Sequence, residues 1–111
     1  MKFLTLINIA VFFVFFVNSP CVAANTPLVF PAQSENKSVL KIYGGADKME
    51  IAPFLSAFQK RYPFVQIDYY ELSTYEVYSE LLANVENPPD VLLSSAMNLQ
   101  VKLVNDGYAQ P

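Results

Sequence analysis

Histidine and tryptophan are absent from the 111-residue chain, and cysteine occurs once, at Cys21. Without histidine there is no Ser–His–Asp or Cys–His arrangement, and no metal site built from histidine and cysteine. Positive charge is scarce as well. Seven Lys and Arg stand against ten Asp and Glu, a net charge of −3, and no basic cluster offsets it, so no nucleic-acid partner is expected. Glycine is limited to three residues. Two of them, Gly44-Gly45, lack the GxGxxG spacing of a dinucleotide fingerprint and the GK[ST] of a phosphate-binding P-loop. No base–nucleophile pair is visible, and neither enzymatic activity nor a cofactor is expected.

Apolar residues are plentiful but unevenly spread: of nine phenylalanines, Phe3, Phe12, Phe13, Phe15 and Phe16 crowd the start. Lys2 precedes a run from Phe3 to Val17 broken only by Thr5 and Asn8, followed by Asn18-Ser19-Pro20 and then Ala23-Ala24. A cationic start, a short apolar run and a small-residue site describe a secretory signal peptide, residues 1–24. The run is shorter than the roughly 20 apolar residues that cross a bilayer. Proline directly before Cys21 fits a lipidated cysteine poorly. Cleavage after Ala23 or Ala24 leaves a cysteine-free chain, whose stability in an oxidising compartment does not depend on disulfides.

Residues 25–38 (NTPLVFPAQSENKS) carry two prolines and no sustained period, and read as a linker or extended arm. Regular patterning begins after them. Val39–Tyr43 is a short β-branched and apolar run stopped by Gly44-Gly45, a strand and a tight turn. From Asp47 to Tyr62, Ile51, Phe54, Leu55, Phe58 and Tyr62 recur at helical spacing, with Lys48, Glu50, Gln59, Lys60 and Arg61 mostly opposite. Phe64–Glu71 alternates as a second strand. Ser73 or Thr74 then caps a helix, with Glu76 placed for a capping box on Ser73, and Tyr75, Tyr78, Leu81, Leu82 and Val85 form its apolar face. After Asn87-Pro88-Pro89, Asp90–Leu93 reads as a strand buried on both faces. A last helix places Met97, Val101 and Val104 on one face with Leu99 and Leu103 beside it, and ends at Gly107 in a left-handed cap. The order β-α-β-α-β-α predicts an α/β layered fold with parallel pairing and right-handed crossovers, incomplete as a sheet, with residues 39–111 as its body.

In open α/β sheets ligands sit outside the carboxyl ends of the strands, where helix N-termini present free N–H groups. Three such places exist: Gly44-Gly45-Ala46, Ser73-Thr74 and Ser94-Ser95-Ala96. Small and hydroxylated residues there admit close backbone approach and offer donors to an anionic oxygen. The same residues also serve as ordinary turns and caps. Asp47 and Glu50 fall in a first helical turn, where acids favour the helix dipole. Tyr69 and Tyr70 point to opposite faces of a strand and do not form one site.

The strand-turn at Tyr43-Gly44-Gly45, the helix APFLSAFQKRYP (52–63), the segment DVLLSSA (90–96) and LVNDGYAQP (103–111) occur in an order that resembles the N-terminal lobe of periplasmic solute-binding proteins of ABC transporters. The likeness is to the group that includes ferric-iron, phosphonate and sugar-phosphate binders. It covers residues 39–111. The resemblance implies a two-lobed, hinge-closing receptor of the type II periplasmic-binding fold, which captures a small solute, anionic or iron-related, and delivers it to an inner-membrane permease. It carries ligand binding onto Gly44, Gly45, Ser73, Thr74, Ser94 and Ser95. Members of that family are about three times this length, so the chain is expected to be a fragment that binds solute weakly or not at all. The iron-coordinating tyrosines of the ferric binders belong to the part beyond Pro111, and Tyr69-Tyr70 is not that pair. Two further readings stay open at this stage: a periplasmic solute-sensing module, and a small stand-alone secreted interaction protein.

Overall fold

A computed structural model describes residues 25–35, 37–93 and 96–109. The expected signal peptide, Cys21, Ser94 and Ser95 lie outside the described residues. The elements in chain order are β1 (Leu28–Phe30), β2 (Ser38–Gly44), α1 (Lys48–Arg61), β3 (Val65–Glu71), α2 (Thr74–Ala83), β4 (Val91–Leu93) and α3 (Met97–Asn105). From β2 onward the β-α-β-α-β-α order is the one expected. The four strands form one sheet in the order β1-β3-β2-β4. β2 pairs in parallel with β3, Leu40 opposite Ile67 and Ile42 opposite Tyr69, and in parallel with β4, Tyr43 opposite Leu92.

The three strands expected from the sequence pair in parallel, as the alternation of strands and helices implies. The stretch read as a linker or extended arm adds β1, which runs antiparallel to β3 with Leu28 opposite Tyr69 and Phe30 opposite Ile67, so the whole sheet is mixed. Three apolar residues between Pro27 and Pro31 carry no period. What holds them is tertiary. The Gln59 side chain, buried on α1, donates from Nε2 to the carbonyls of Phe30 and Pro31 at 2.8 Å each and reaches that of Val65 at 3.2 Å.

The strand period of two sorts side chains onto two faces. On one, Ile42, Ile67 and Tyr69 pack with Leu55 of α1, joined by Leu28, Phe30, Leu40, Ile51, Val65 and Leu93. On the other, Tyr43 packs with Leu72 and Val77, with Tyr70 and Leu92 alongside. The helices following β2 and β3 therefore cover opposite faces. This is the geometry right-handed crossovers require when the chain moves first to one side of β2 and then to the other.

The helices bury narrower faces than their apolar patterns suggest. α1 turns Leu55 and Gln59 inward and leaves Phe54 71% exposed, the reverse of the expected placement of Phe54 and Gln59. α2 buries Val77 and Leu81 while Tyr75 is exposed, and α3 buries Leu103 while Met97, Val101 and Val104 are exposed. β4 is also an edge among the described strands, with Val91 exposed, where burial on both faces was expected. Pro53 lies inside α1, in its second turn, so the usual bond back to the Met49 carbonyl is missing there. α3 ends as expected: Gly107 has φ 83°, Tyr108 N–H reaches the Leu103 carbonyl at 2.9 Å and Gly107 N–H that of Val104 at 3.1 Å. Among the described residues no helix is long and apolar enough to cross a membrane.

Candidate functional site

β2 lies between β3 and β4, so the chain leaves β2 toward one side and returns to the other. The strand order switches beside β2, and the crevice beyond its carboxyl end is where such sheets bind ligands. The register brings three strand ends level there. Gly44 is opposite Glu71 in β3 and opposite Leu93 in β4. Leu72 N–H donates to the Gly44 carbonyl at 2.8 Å and Gly45 N–H to the Leu93 carbonyl at 3.1 Å. The carboxyl ends of all three strands are thus tied to one edge.

Each candidate residue other than Ser94 and Ser95 has a definable place on it. Gly44 is buried, and a Cβ built on it would meet the Tyr69 ring and hydroxyl at 2.6–2.9 Å. Its lack of a side chain serves close packing on Tyr69, whose hydroxyl donates to the Ala46 carbonyl at 2.6 Å. Burial pushes the Tyr69 phenol above the ordinary tyrosine value, against the pull of that hydrogen bond, with Glu71 and Asp47 adding to the rise. Gly45 is exposed on the rim. Ser73 is committed to a capping box: Glu76 N–H donates to its Oγ at 3.3 Å, and its own N–H donates to Glu76 Oε2 at 2.7 Å. The Ser73 hydroxyl first, and then the Ser73 backbone N–H, hold the Glu76 carboxyl below the usual glutamate range. Thr74 Oγ1 accepts from Ala96 N–H at 3.4 Å, joining the second loop to the third.

The three helix N-termini are not equivalent. At α1, Asp47 Oδ1 accepts from Met49 N–H at 2.7 Å, and Glu71 Oε2, from the end of β3, accepts from Lys48 N–H at 3.0 Å. At α2 the Glu76 carboxylate sits on the Ser73 amide. The N-cap of α3 is Ala96, which gives no side-chain cap, and among the described residues of this terminus Asn98 supplies the local acceptor, to Leu99 N–H at 2.9 Å. Carboxylates of the chain itself therefore occupy two of the three positions that sequence reading offered to an anion. Glu71 was the residue missed. Its signal was the end of a strand beside Gly44, but its role depends on the β2–β3 register. Lys48 is the rim cation, and its ammonium binds the Thr26 carbonyl at 2.9 Å.

Between the N-terminal halves of α2 and α3 runs a shallow groove of about 380 Å³, lined by Thr74, Tyr75, Tyr78, Asn98, Leu99 and Lys102. Lys102 lies 5.9 Å from the Tyr78 ring centroid and pairs with Asp106 at 2.5 Å. The groove opens onto the same edge as Thr74. No group of three or more carboxylate, cysteine or histidine side chains able to hold a metal occurs among the described residues.

Neither a scan against protein-family models nor a search of curated proteins finds a match. A solved structure does match: the substrate binding protein of the ABC transporter from Agrobacterium tumefaciens, at 36% identity with a TM-score of 0.71. The match covers 77% of this chain and 26% of that one, so the chain spans about a quarter of the length of the protein it resembles. Its sheet and three helices have the fold of part of a lobe of such a binding protein.

Proposed function

We propose that the chain is the first-lobe portion of the substrate-binding component of an ABC importer. It is exported by residues 1–24, meets a small solute at the carboxyl edge of its sheet and presents it to a membrane permease. The observation that carries this reading is the alignment of three strand ends at the switch point, in a chain that matches part of an ABC substrate-binding protein at 36% identity. Within the group first suggested by resemblance, which binds ferric iron, phosphonates and sugar phosphates, the lobe's share of an anionic solute is centred on the start of α3, with one residue each from the first two loops. Gly45, Thr74, Ser94, Ser95 and the start of α3 form that share. The α1 and α2 termini already hold Asp47, Glu71 and Glu76.

The test is amide chemical-shift mapping, which detects weak binding by a single lobe. Inorganic phosphate, a sugar phosphate and ferric citrate are each titrated into the isotope-labelled chain as the cell exports it. The reading requires shifts confined to Gly45, Thr74 and residues 94–98, weakened about tenfold, a loss of roughly 1.4 kcal/mol, by Thr74→Val. Shifts centred elsewhere, or none with all three solutes, overturn the anionic assignment. Retention of the chain in the cytoplasm overturns the exported role.

A further inference from the structure

α1 has two ridges one residue apart. Ile51, Leu55 and Gln59 face the sheet, and Glu50, Phe54, Phe58 and Tyr62 run beside them at the same four-residue step. The second ridge is uncovered: Phe54, Phe58 and Tyr62 are 71%, 41% and 37% exposed, and Phe64 just beyond is 48% exposed. The rings are already stacked among themselves, Phe58 on Tyr62 at 4.7 Å and Tyr62 edge-on to Phe64 at 6.3 Å between centroids. An exposed ladder of aromatic rings along and just beyond a helix is a surface suited to being covered.

The charges along the ladder say by what. Its beginning carries Glu50 and its end carries Lys60 and Arg61, all exposed, and none of the three forms an ion pair among the described residues. An anionic membrane would meet Glu50 and a chain of net charge −3, which opposes it. A second α1 laid antiparallel matches the centre of the ladder and the charges at its ends. Phe54 meets Phe58 of the other copy, and Glu50 meets Arg61 of the other copy. Both pairs are centred near Ser56, so one two-fold axis generates both symmetric contacts. Parallel alignment would set like charge against like.

We infer that α1 is the interface of a two-fold homodimer, packed antiparallel through Phe54 and Phe58 and keyed by reciprocal Glu50–Arg61 pairs. The four rings would bury about 150–250 Å² each if fully exposed; at their observed exposures they supply on the order of 300–500 Å² per copy, below the roughly 800 Å² per partner of a stable interface and in the range of transient ones. The dimer is therefore weak and concentration-dependent. This inference is independent of the solute reading, because it uses the outer ridge of α1 and none of the strand-end loops.

Sedimentation equilibrium of the exported chain, over concentrations spanning the micromolar range, tests it. Circular dichroism verifies that each variant keeps its helices. A reversible monomer–dimer equilibrium is expected, abolished by Phe54→Glu. Glu50→Arg and Arg61→Glu should each weaken it about tenfold, and the double charge swap should restore it to within about threefold. The restoration is the decisive reading, since only antiparallel pairing brings these two positions together. A monomer at every concentration overturns the inference. So does a dimer that survives Phe54→Glu, or one that the double swap fails to restore.

Discussion

Gly44→Ala isolates one consequence of the packing at the carboxyl edge. The new methyl would lie 2.6 Å from the Tyr69 hydroxyl oxygen, 2.7 Å from Cε2 and 2.9 Å from Cζ. Tyr69 is fully buried against Ile42, Leu55 and Ile67 and tethered to the Ala46 carbonyl, so it has no free direction to move. Overpacking of this kind costs about 1–3 kcal/mol. If the ring shifts, the hydroxyl loses its buried partner at about 1–3 kcal/mol more. Relief of glycine's unfolded-state entropy returns about 0.4–1 kcal/mol. The net loss is about 2–4 kcal/mol, against a total of roughly 4–12 kcal/mol for a domain of this size. Urea denaturation followed by far-ultraviolet circular dichroism should show the midpoint falling by about 2 M or more, given a slope near 1 kcal/mol per molar for a small domain. Most of the penalty should persist in a Tyr69→Phe background, because the two ring-carbon contacts remain, and it should collapse in Tyr69→Leu. A Gly44→Ala midpoint equal to wild type, or a penalty unchanged by Tyr69→Leu, would refute the reasoning.

Gln59→Leu keeps the volume but removes the donor shared by the Phe30, Pro31 and Val65 carbonyls. It should cost about 1–3 kcal/mol and raise hydrogen exchange at β1 before β2 and β3, as measured by mass spectrometry. The Glu76 carboxyl, lowered by its bonds to Ser73, contributes stability that is present above the unfolded glutamate value and lost as pH falls through the folded one. Carbon-detected titration should find Glu76 below the ordinary glutamate range and Ser73→Ala should raise it. Tyr69 has the opposite sign. Raised chiefly by burial, its phenol contributes stability that is complete below the unfolded tyrosine value and lost as pH rises through the folded one. Of seven tyrosines, ultraviolet difference absorbance should show one ionising last, coincident with alkaline unfolding, and Tyr69→Phe should remove that late step.

The parts of the fold that local chemistry determines were legible in the chain. The alternation of Val65, Ile67 and Tyr69 and the stop at Gly44-Gly45 mark strands, the Ser73–Glu76 spacing marks a capping box, and Gly107 marks a left-handed cap. All of these are present. What escaped depends on contacts between distant residues. Phe54 and Leu55, and likewise Phe58 and Gln59, are neighbours along α1, and a helical period cannot say which of two adjacent ridges faces the sheet. The carbonyls of Phe30, Pro31 and Val65, all reached by Gln59 Nε2, favour the ridge that carries Gln59. The same three carbonyls explain how a three-residue strand between prolines came to be ordered.

The carboxyl edge follows the same logic. Read along the chain, Gly44-Gly45, Ser73-Thr74 and Ser94-Ser95 are three equal openings for an anion, each before a helix. The parallel register removes that equality by setting Glu71 opposite Gly44 and within 3.0 Å of the first amide of α1. Asp47 fills the next donor and Glu76 fills the α2 terminus. A helix N-terminus that already holds a carboxylate repels a second anion rather than drawing it in. Selectivity on this edge is therefore set less by where hydroxyl residues occur than by which terminus the chain's own acids leave open. Only α3, entered through Ala96 without a capping side chain, meets that condition. Substituting Glu71 by Gln, which keeps the Lys48 amide satisfied while removing the charge, should shift phosphate-induced amide perturbations toward Gly45 and the α1 terminus. If the pattern stays centred on α3, the acids are structural caps and do not steer the solute.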